Sequence, residues 1–388
     1  MSGNASTPPS GADDIPAVSV VMANFRGAAH LAAAMTAVLA QTERRLELIV
    51  ADDASDDDSV AIARRIAATD DRVRVIASPS NGGPAVTRNL ALDAARGEWI
   101  AVVDSDDLIH PERLARLIAA AETAGADLVA DDLVYFGAVP EPQGRTLLQT
   151  LALSAPMLLE PAPYLRSNDG RSGLPPFGYL KPVIRRRVLA GLRYDPTLRI
   201  GEDHDLVLRL LIGGARFLLL PDPLYAYRRH AGSISHRLSV ATVEAMLQAH
   251  RALPPMPDAD MRAVAARVDR QLSRTLRYER LVADIKARRW RAVLPSMADP
   301  AMLSRLLDSL RDRRRRKASA ADLHGVQAPL PDPVPDMPPP GKAWTQPPAP
   351  YAARIAAGAA RGEALASDAP SWTVWLARAT GRAVSLTE

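Results

Sequence analysis

Three aspartates leave one apolar run almost together, where Ile100-Ala101-Val102-Val103 passes into Asp104-Ser105-Asp106-Asp107. Carboxylates this close repel one another unless a cation sits among them, and a hard divalent ion takes one or two such groups together with phosphate oxygens. A solvated turn with an aspartate capping a helix is the ordinary alternative for an isolated triplet. Here the preceding run reads as buried strand, which favours metal and diphosphate chemistry. A second acidic cluster follows Leu48-Ile49-Val50-Ala51 and runs from Asp52 to Asp58. Asp52 and Asp53, at the strand end, can accept hydrogen bonds from a nucleobase or ribose. Asp56, Asp57 and Asp58, just before Ser59, read as cap and first-turn acids favoured by a helix dipole.

Other segments carry weaker signals. Asn81-Gly82-Gly83-Pro84 followed by Arg88 is a tight loop that can bring backbone and a cation near a phosphate. It is neither a Gly-x-Gly-x-x-Gly fingerprint nor a P-loop, so dinucleotide and ATP-motor readings lack their defining feature. Ile200-Gly201-Glu202-Asp203-His204-Asp205 precedes a leucine-rich helical stretch. An aspartate there is more often a cap than a base. Tyr227-Arg228-Arg229-His230 then supplies cations and an imidazole, and His230 gains interest only from its company.

These residues need a frame. Val18–Met22, Leu46–Val50, Val73–Ile76, Trp99–Val103 and Leu128–Val134 read as buried strands alternating with helical patterns. The helix after His110 takes Pro111 at its first position, with Leu114, Leu117, Ile118 and Ala121 forming one apolar stripe. A helix from about Pro84 to Arg96 takes Gly97 as its left-handed stop. Strand–helix alternation predicts an α/β fold with a mostly parallel sheet covered on both faces, and such sheets bind ligands at the carboxyl ends of their strands. Both acidic clusters belong at that rim.

The chain of 388 residues has 47% hydrophobic and 24% charged residues, which excludes a wholly disordered or collagen-like protein. It has no cysteine, so disulfides, zinc–thiolate sites and thiol nucleophiles are excluded, and any metal must be held by oxygen or nitrogen. No run approaches the ~18 apolar residues of a spanning helix, and the first 16 residues lack the pattern of a signal peptide, so a cytoplasmic protein is expected. Residues 1–240 hold 25 Lys/Arg against 29 Asp/Glu, whereas 241–388 hold 23 against 15. The acidic part suits a divalent cation and disfavours nucleic acid; the basic part suits an anionic surface.

The expected organisation is a disordered lead-in (1–16), a catalytic domain (17–238) with halves at 17–134 and 135–238, and a basic helical extension (239–325). A proline-rich linker (326–350) and a tail (351–388) follow, the tail carrying Trp372 and Trp375 on a short amphipathic helix. The basic run Arg313–Lys317 reads as a solvated surface or as a peripheral contact with an anionic membrane at the inner face of the plasma membrane.

Taken in order, strand-Asp-Asp-Ala-Ser, Gly-Pro-x-x-x-Arg-Asn, Val-Asp-Ser-Asp-Asp, Gly-Glu-Asp-His-Asp-Leu and Tyr-Arg-Arg-His-x-x-Ser-x-Ser resemble the family 2 inverting glycosyltransferases of GT-A fold, over about residues 17–238. Phe177-Gly178-Tyr179-Leu180-Lys181-Pro182 and Leu192-Arg193-Tyr194-Asp195 are similar to the succinoglycan-type exopolysaccharide glucosyltransferases. The resemblance implies a UDP-sugar donor, a saccharide or lipid-linked saccharide acceptor and Mg2+ or Mn2+. It implies that Asp53 contacts the uracil, Arg88 lies near the nucleotide and Asp104 near ribose and metal. Asp106 becomes a metal ligand, His230 completes the metal site, and Asp203 is the base, with Glu202, Arg228 and Arg229 on the acceptor side. The family's Tyr-Asn after the first strand is Phe25-Arg26 here. Two competing readings are a sugar-nucleotide pyrophosphorylase, whose basic Gly-rich loop has no counterpart at Met22–Gly27, and a degenerate transferase fold kept as a binding or scaffold module.

Overall fold

The computed structural model describes residues 15–136, 146–169, 172–229 and 238–297, with Met302 and Leu306. They fall into two compact units, residues up to 229 in the first and those from 238 in the second.

In the first unit the apolar runs become strands; three of the first four are buried along most of their length, while the run at the sheet edge buries only Val73. β1 (Val18–Asn24), β2 (Leu46–Asp52), β3 (Val73–Ala77) and β4 (Trp99–Val102) pair in parallel in the order β3-β2-β1-β4. α1 (Leu31–Leu39), α2 (Ser59–Ala67) and α3 (Pro84–Ala94) connect them. Asn24 lies opposite Asp52 in the β1–β2 register, so the polar chain that follows both strands emerges at one rim.

The sheet continues past β4. β5 (Leu108–Ile109), α4 (Arg113–Ala124), β6 (Leu128–Phe136), β7 (Met157–Leu159), α5 (Pro161–Arg166), β8 (Val183–Arg185), α6 (Arg186–Leu189), α7 (Glu202–Ile212) and β9 (Phe217–Arg228) follow in chain order. The full order is β3-β2-β1-β4-β8-β6-β9-β5, with β7 on β9. β8 runs antiparallel to both β4 and β6, whereas β6 and β9 are parallel with a register shift between Asp131 and Leu133. The far end of β9 folds back beside β5, pairing Ala226 with Leu108, and this returns Tyr225, Tyr227 and Arg228 to the loop after β4. The fold is α/β, a mostly parallel sheet flanked by helices.

Two boundaries differ from the sequence reading. α4 begins at Arg113 rather than Pro111, with Glu112 in the capping position. α3 ends at Ala94 in an extended Ala95, and Gly97 is no left-handed stop. A Cβ at Gly97 would stand 2.5 Å from the Ser19 backbone nitrogen, so close approach of two chain segments demands glycine there. The left-handed cap is Gly125, φ 60°, which ends α4.

The second unit is helical: α8 (Val240–Arg251), α9 (Ala259–Lys286) and α10 (Trp290–Met297). The hydroxyl of Ser239 accepts the Thr242 N–H and the carboxylate of Asp258 accepts the Met261 N–H, capping α8 and α9. Val243, Leu247 and Leu276 pack as one core; Tyr278, Leu281, Val293 and Met302 form another. Among the described residues no helix is long and apolar enough to cross a membrane. The basic run at 313–317, the proline-rich segment and the tail tryptophans lie outside the described residues.

Candidate active site

Asp52 is buried and spends its carboxylate on structure: it accepts from Asn24 Nδ2 (2.7 Å), the Ser55 N–H (2.8 Å) and Ser55 Oγ (2.7 Å), tying β1 to β2 at the rim. Asp53, also buried, turns toward the Asn81-Gly82-Gly83 loop. Its two oxygens accept the Gly82 and Gly83 N–H at 2.7 and 2.8 Å, which fixes the entry to α3. Gly83 caps that helix at φ 88°, where a side chain would be strained, and Pro84 takes the first helical position. Of Asp56, Asp57 and Asp58, Asp57 alone accepts a helical N–H through its side chain, that of Ser59 at the start of α2. Asp56 forms a bidentate pair with Arg26, Asp57 accepts the Ala28 and Ser59 N–H, and Asp58 precedes α2 without a side-chain capping bond. Asp56 and Asp57 pin the loop after β1 to the loop after β2.

On the inner face of α3, Arg88 is buried and fans its guanidinium over three carboxylates. Nη2 donates to Asp104 (2.8 Å), Nη1 donates to Glu202, and Nη1 lies 3.6 Å from Asp203. Its flat face rests over the Tyr194 ring, 5.6 Å from the centroid. Glu202 and Asp203 open α7, where Gly201 at φ 85° makes the turn and the helix dipole favours acids in the first turn. Lys181, just ahead of β8, completes the group. Its Nζ stands 2.8 Å from an oxygen of Asp104 and 2.8 Å from an oxygen of Asp203. Arg88, Asp104, Lys181 and Asp203 thus form a closed loop of alternating charge, with Glu202 attached through Arg88.

Burial works against the Asp104 charge, but Lys181 and Arg88 outweigh it and hold its carboxyl well below the usual range. Burial likewise opposes the Lys181 charge, and Asp104 and Asp203 raise it well above its ordinary value, so the ammonium persists. Glu202 moves the other way, pushed up by burial against the opposing pull of Arg88.

Asp107 is almost fully buried and accepts from the Tyr225 hydroxyl (2.7 Å) and the Arg228 N–H (2.6 Å). Tyr225 oxygen also accepts the Asp104 N–H at 3.1 Å. Burial, then Asp106 and Asp104, push the Asp107 carboxyl well up. Arg228 is buried, donating Nε to the Asp106 carbonyl (2.7 Å), so it buttresses the aspartate loop. Arg229 sits with its guanidinium 5.6 Å from the Tyr135 ring centroid. Asp104, Asp106 and Asp107 each bring one carboxylate oxygen within 4.8 Å of the others. An all-oxygen set of this kind, enclosing a buried carboxyl pressed by two like charges, fits a hard divalent cation such as Mg2+ or Mn2+. His230 lies outside the described residues.

The structure therefore brings Arg88, Asp104, Glu202 and Asp203 into contact, sets Asp106 two residues along, and directs Asp53 to the adjoining loop. Sequence reading missed the role of Lys181, whose single charge has no spacing to betray it. It also missed Arg113 and Asp131. Arg113 donates to Asp131 at 2.7 to 3.0 Å and to the Lys181 carbonyl at 2.5 Å, both side chains being buried, and its guanidinium lies 4.9 Å from the Tyr225 ring centroid. An acid in the middle of an otherwise apolar strand was the available signal, since a buried charge needs a partner.

Comparison with known proteins agrees with this geometry. The family model described as glycosyl transferase family 2 matches residues 19–176. The chain is 36% identical over 321 residues to the succinoglycan biosynthesis protein ExoO of Rhizobium meliloti (strain 1021), covering 80% of this chain and 90% of that one. It is 32% identical over 240 residues to ExoU of the same organism, covering 61% and 69%. Among solved structures, S. aureus TarS 1–349 in complex with UDP-GlcNAc aligns with a TM-score of 0.51 at 21% identity, over 67% of this chain and 71% of that one. Its UDP complex aligns with a TM-score of 0.50 at 19% identity, over 67% and 70%. These two likenesses are of fold.

Proposed function

The chain belongs to glycosyl transferase family 2 and has the GT-A fold, and from that premise we propose that it moves a sugar from a UDP-sugar to a saccharide or lipid-linked saccharide acceptor in exopolysaccharide synthesis. The donor we favour is UDP-glucose. The succinoglycan role of ExoO and ExoU supports the exopolysaccharide setting, and the UDP-GlcNAc held by TarS supports a uridine donor. The observation that carries the reading is the meeting of Asp104 from the end of β4 with Asp203 from the start of α7 across one ammonium.

The reaction is a single displacement with inversion. Asp203 accepts the proton of the acceptor hydroxyl while that oxygen attacks the anomeric carbon on the face opposite UDP. The carbon–oxygen bond to the diphosphate breaks as the new bond forms, and UDP departs with the electron pair. General-base help of this kind is worth about 10²–10⁴ in rate. Arg88 keeps Glu202 and Asp104 in register with the base, Asp53 shapes the loop on the uracil side, and Arg228 holds the aspartate loop. Asp106, with Asp104 and Asp107 beside it, would hold Mg2+ or Mn2+, which offsets charge on the leaving diphosphate as a Lewis acid.

Asp203→Asn is expected to bind UDP with unchanged affinity and to lose about 10²-fold or more of transfer across a panel of UDP- and GDP-sugars. Near-normal turnover would overturn the assignment.

We also propose that the second unit touches an anionic membrane at the cytoplasmic face. Trp290 and Leu294, 59% and 70% exposed, stand one turn apart on α10. Lys286, Arg288 and Arg291 flank them, while Arg289 is paired with Asp284 at 2.8 Å. Apolar side chains framed by cations suit the interface of an anionic bilayer.

A further inference from the structure

One buried cation takes no part in that reaction scheme. Lys181 is drawn into a site where its ammonium reaches Asp104 and Asp203 equally, at 2.8 Å each. Those two carboxylates sit on elements far apart in the chain, one leaving β4 and the other opening α7, and among the described contacts only the two cations Arg88 and Lys181 span them. The two links are unequal. Arg88 holds Asp104 at hydrogen-bond distance but stands 3.6 Å from Asp203, whereas Lys181 holds both.

The position of Lys181 is fixed from its backbone as well as from its tip. Pro182 restricts the residue before it to extended conformations. The Lys181 carbonyl accepts from Arg113 Nη2 at 2.5 Å, and Arg113 is itself held by Asp131 in the buried centre of the sheet. The backbone anchor fixes where the side chain starts, and the two carboxylates fix where it ends.

We propose that Lys181 is a positioning residue for transfer. It occupies Oδ2 of Asp203 and sets the carboxylate at a fixed distance from Asp104 on the donor side. Oδ1 of Asp203, with Arg88 at 3.6 Å and thus beyond hydrogen-bond reach, is the oxygen presented to the acceptor hydroxyl. The inference rests on Asp203 being the base, and it adds which of its oxygens works and what aims it. Misplacing a base by about 1 Å can cost about 10²-fold in rate, so loss of the ammonium should appear in kcat rather than in donor binding.

The test uses the full chain with Mn2+, on the UDP-sugar that the wild type consumes best. Lys181→Met is expected to lower kcat about 10²-fold while UDP affinity, measured by calorimetry, stays within about threefold, which is under 1 kcal/mol. In the Asp203→Asn background the same substitution should cost nothing further, because residues acting through one group are not additive. Lys181→Arg, which keeps the charge and guards against simple misfolding, should retain more kcat than Lys181→Met. Unchanged kcat in Lys181→Met overturns the proposal. So does a large loss of UDP affinity with kcat intact, which would make the ammonium a diphosphate ligand. Losses that multiply in the double variant would mark general damage and also overturn it. A wild type that consumes no donor on the panel would instead overturn the transferase reading, and this role with it.

Discussion

Replacing Asp131 with asparagine leaves the Arg113 guanidinium buried without its counter-charge. Arg113 is wholly inaccessible and Asp131 is 2% exposed, so solvent cannot take over. Three contacts of 2.7 to 3.0 Å join them. Burial pushes the Asp131 carboxyl up and Arg113 opposes it, so the charged pair exists only because both partners are present. Removing one member of such a pair costs about 3–5 kcal/mol. For a unit of this size each kcal/mol shifts the melting temperature by about 2–4 °C, so Asp131→Asn should melt about 6–20 °C lower. Urea unfolding at constant m-value gives the free energy directly. The double replacement Arg113→Met with Asp131→Leu removes both charges and should regain most of the loss, falling short by about 1 kcal/mol for the donor lost by the Lys181 carbonyl. A cost below about 1 kcal/mol for Asp131→Asn, or a double variant no better than the single, would refute this account.

His110 makes stability depend on acid. Burial first, then Arg116, lowers its pKa to about 3 from 6.5, and the neutral ring accepts the Glu112 N–H at Nδ1. Because the folded value lies below the unfolded one, this stability is complete above pH ~6.5 and is lost as pH falls toward ~3. Between pH 7 and pH 5 the wild type should lose about 2 kcal/mol more than His110→Gln in paired urea titrations; parallel curves would refute it. For α10, Trp290→Ala with Leu294→Ala should weaken sedimentation with phosphatidylglycerol vesicles about tenfold at low salt, with no binding to phosphatidylcholine alone. Equal binding by the variant would exclude this face as the contact.

What the sequence made legible was whatever repeats or clusters. β1, β2 and β4 showed as near-continuous apolar runs because parallel strands covered on both sides have no polar face. β9 was hidden by Pro221 and Pro223, which break a strand pattern yet are tolerated where the β6 partner shifts register. β8 has three residues, too few for any period. Asp104 and Asp106 were conspicuous as a cluster at a strand end. Lys181 was not, since a single lysine between an aromatic turn and a proline resembles any surface residue until the sheet draws it inward. Asp56 misled because acids before a helix usually cap it, whereas here Arg26 binds it; Asp57 does accept the Ser59 N–H but also that of Ala28. Gly97 misled for a similar reason: a glycine after a helix suggests a turn, and only the proximity of Ser19 reveals a packing requirement.

The shortest inner strand has the widest reach. β8 enters between β4 and β6, so the sheet half built from β1 to β4 is hydrogen-bonded to the later strands through three residues. Cut between β6 and β8, the two fragments would have to seat that strand between two waiting edges, as a key enters a lock, and lay β9 along β6. Because Pro182 tethers the strand to Lys181, the same three residues that close the hydrogen-bond ladder also fix where the ammonium meets Asp104 and Asp203.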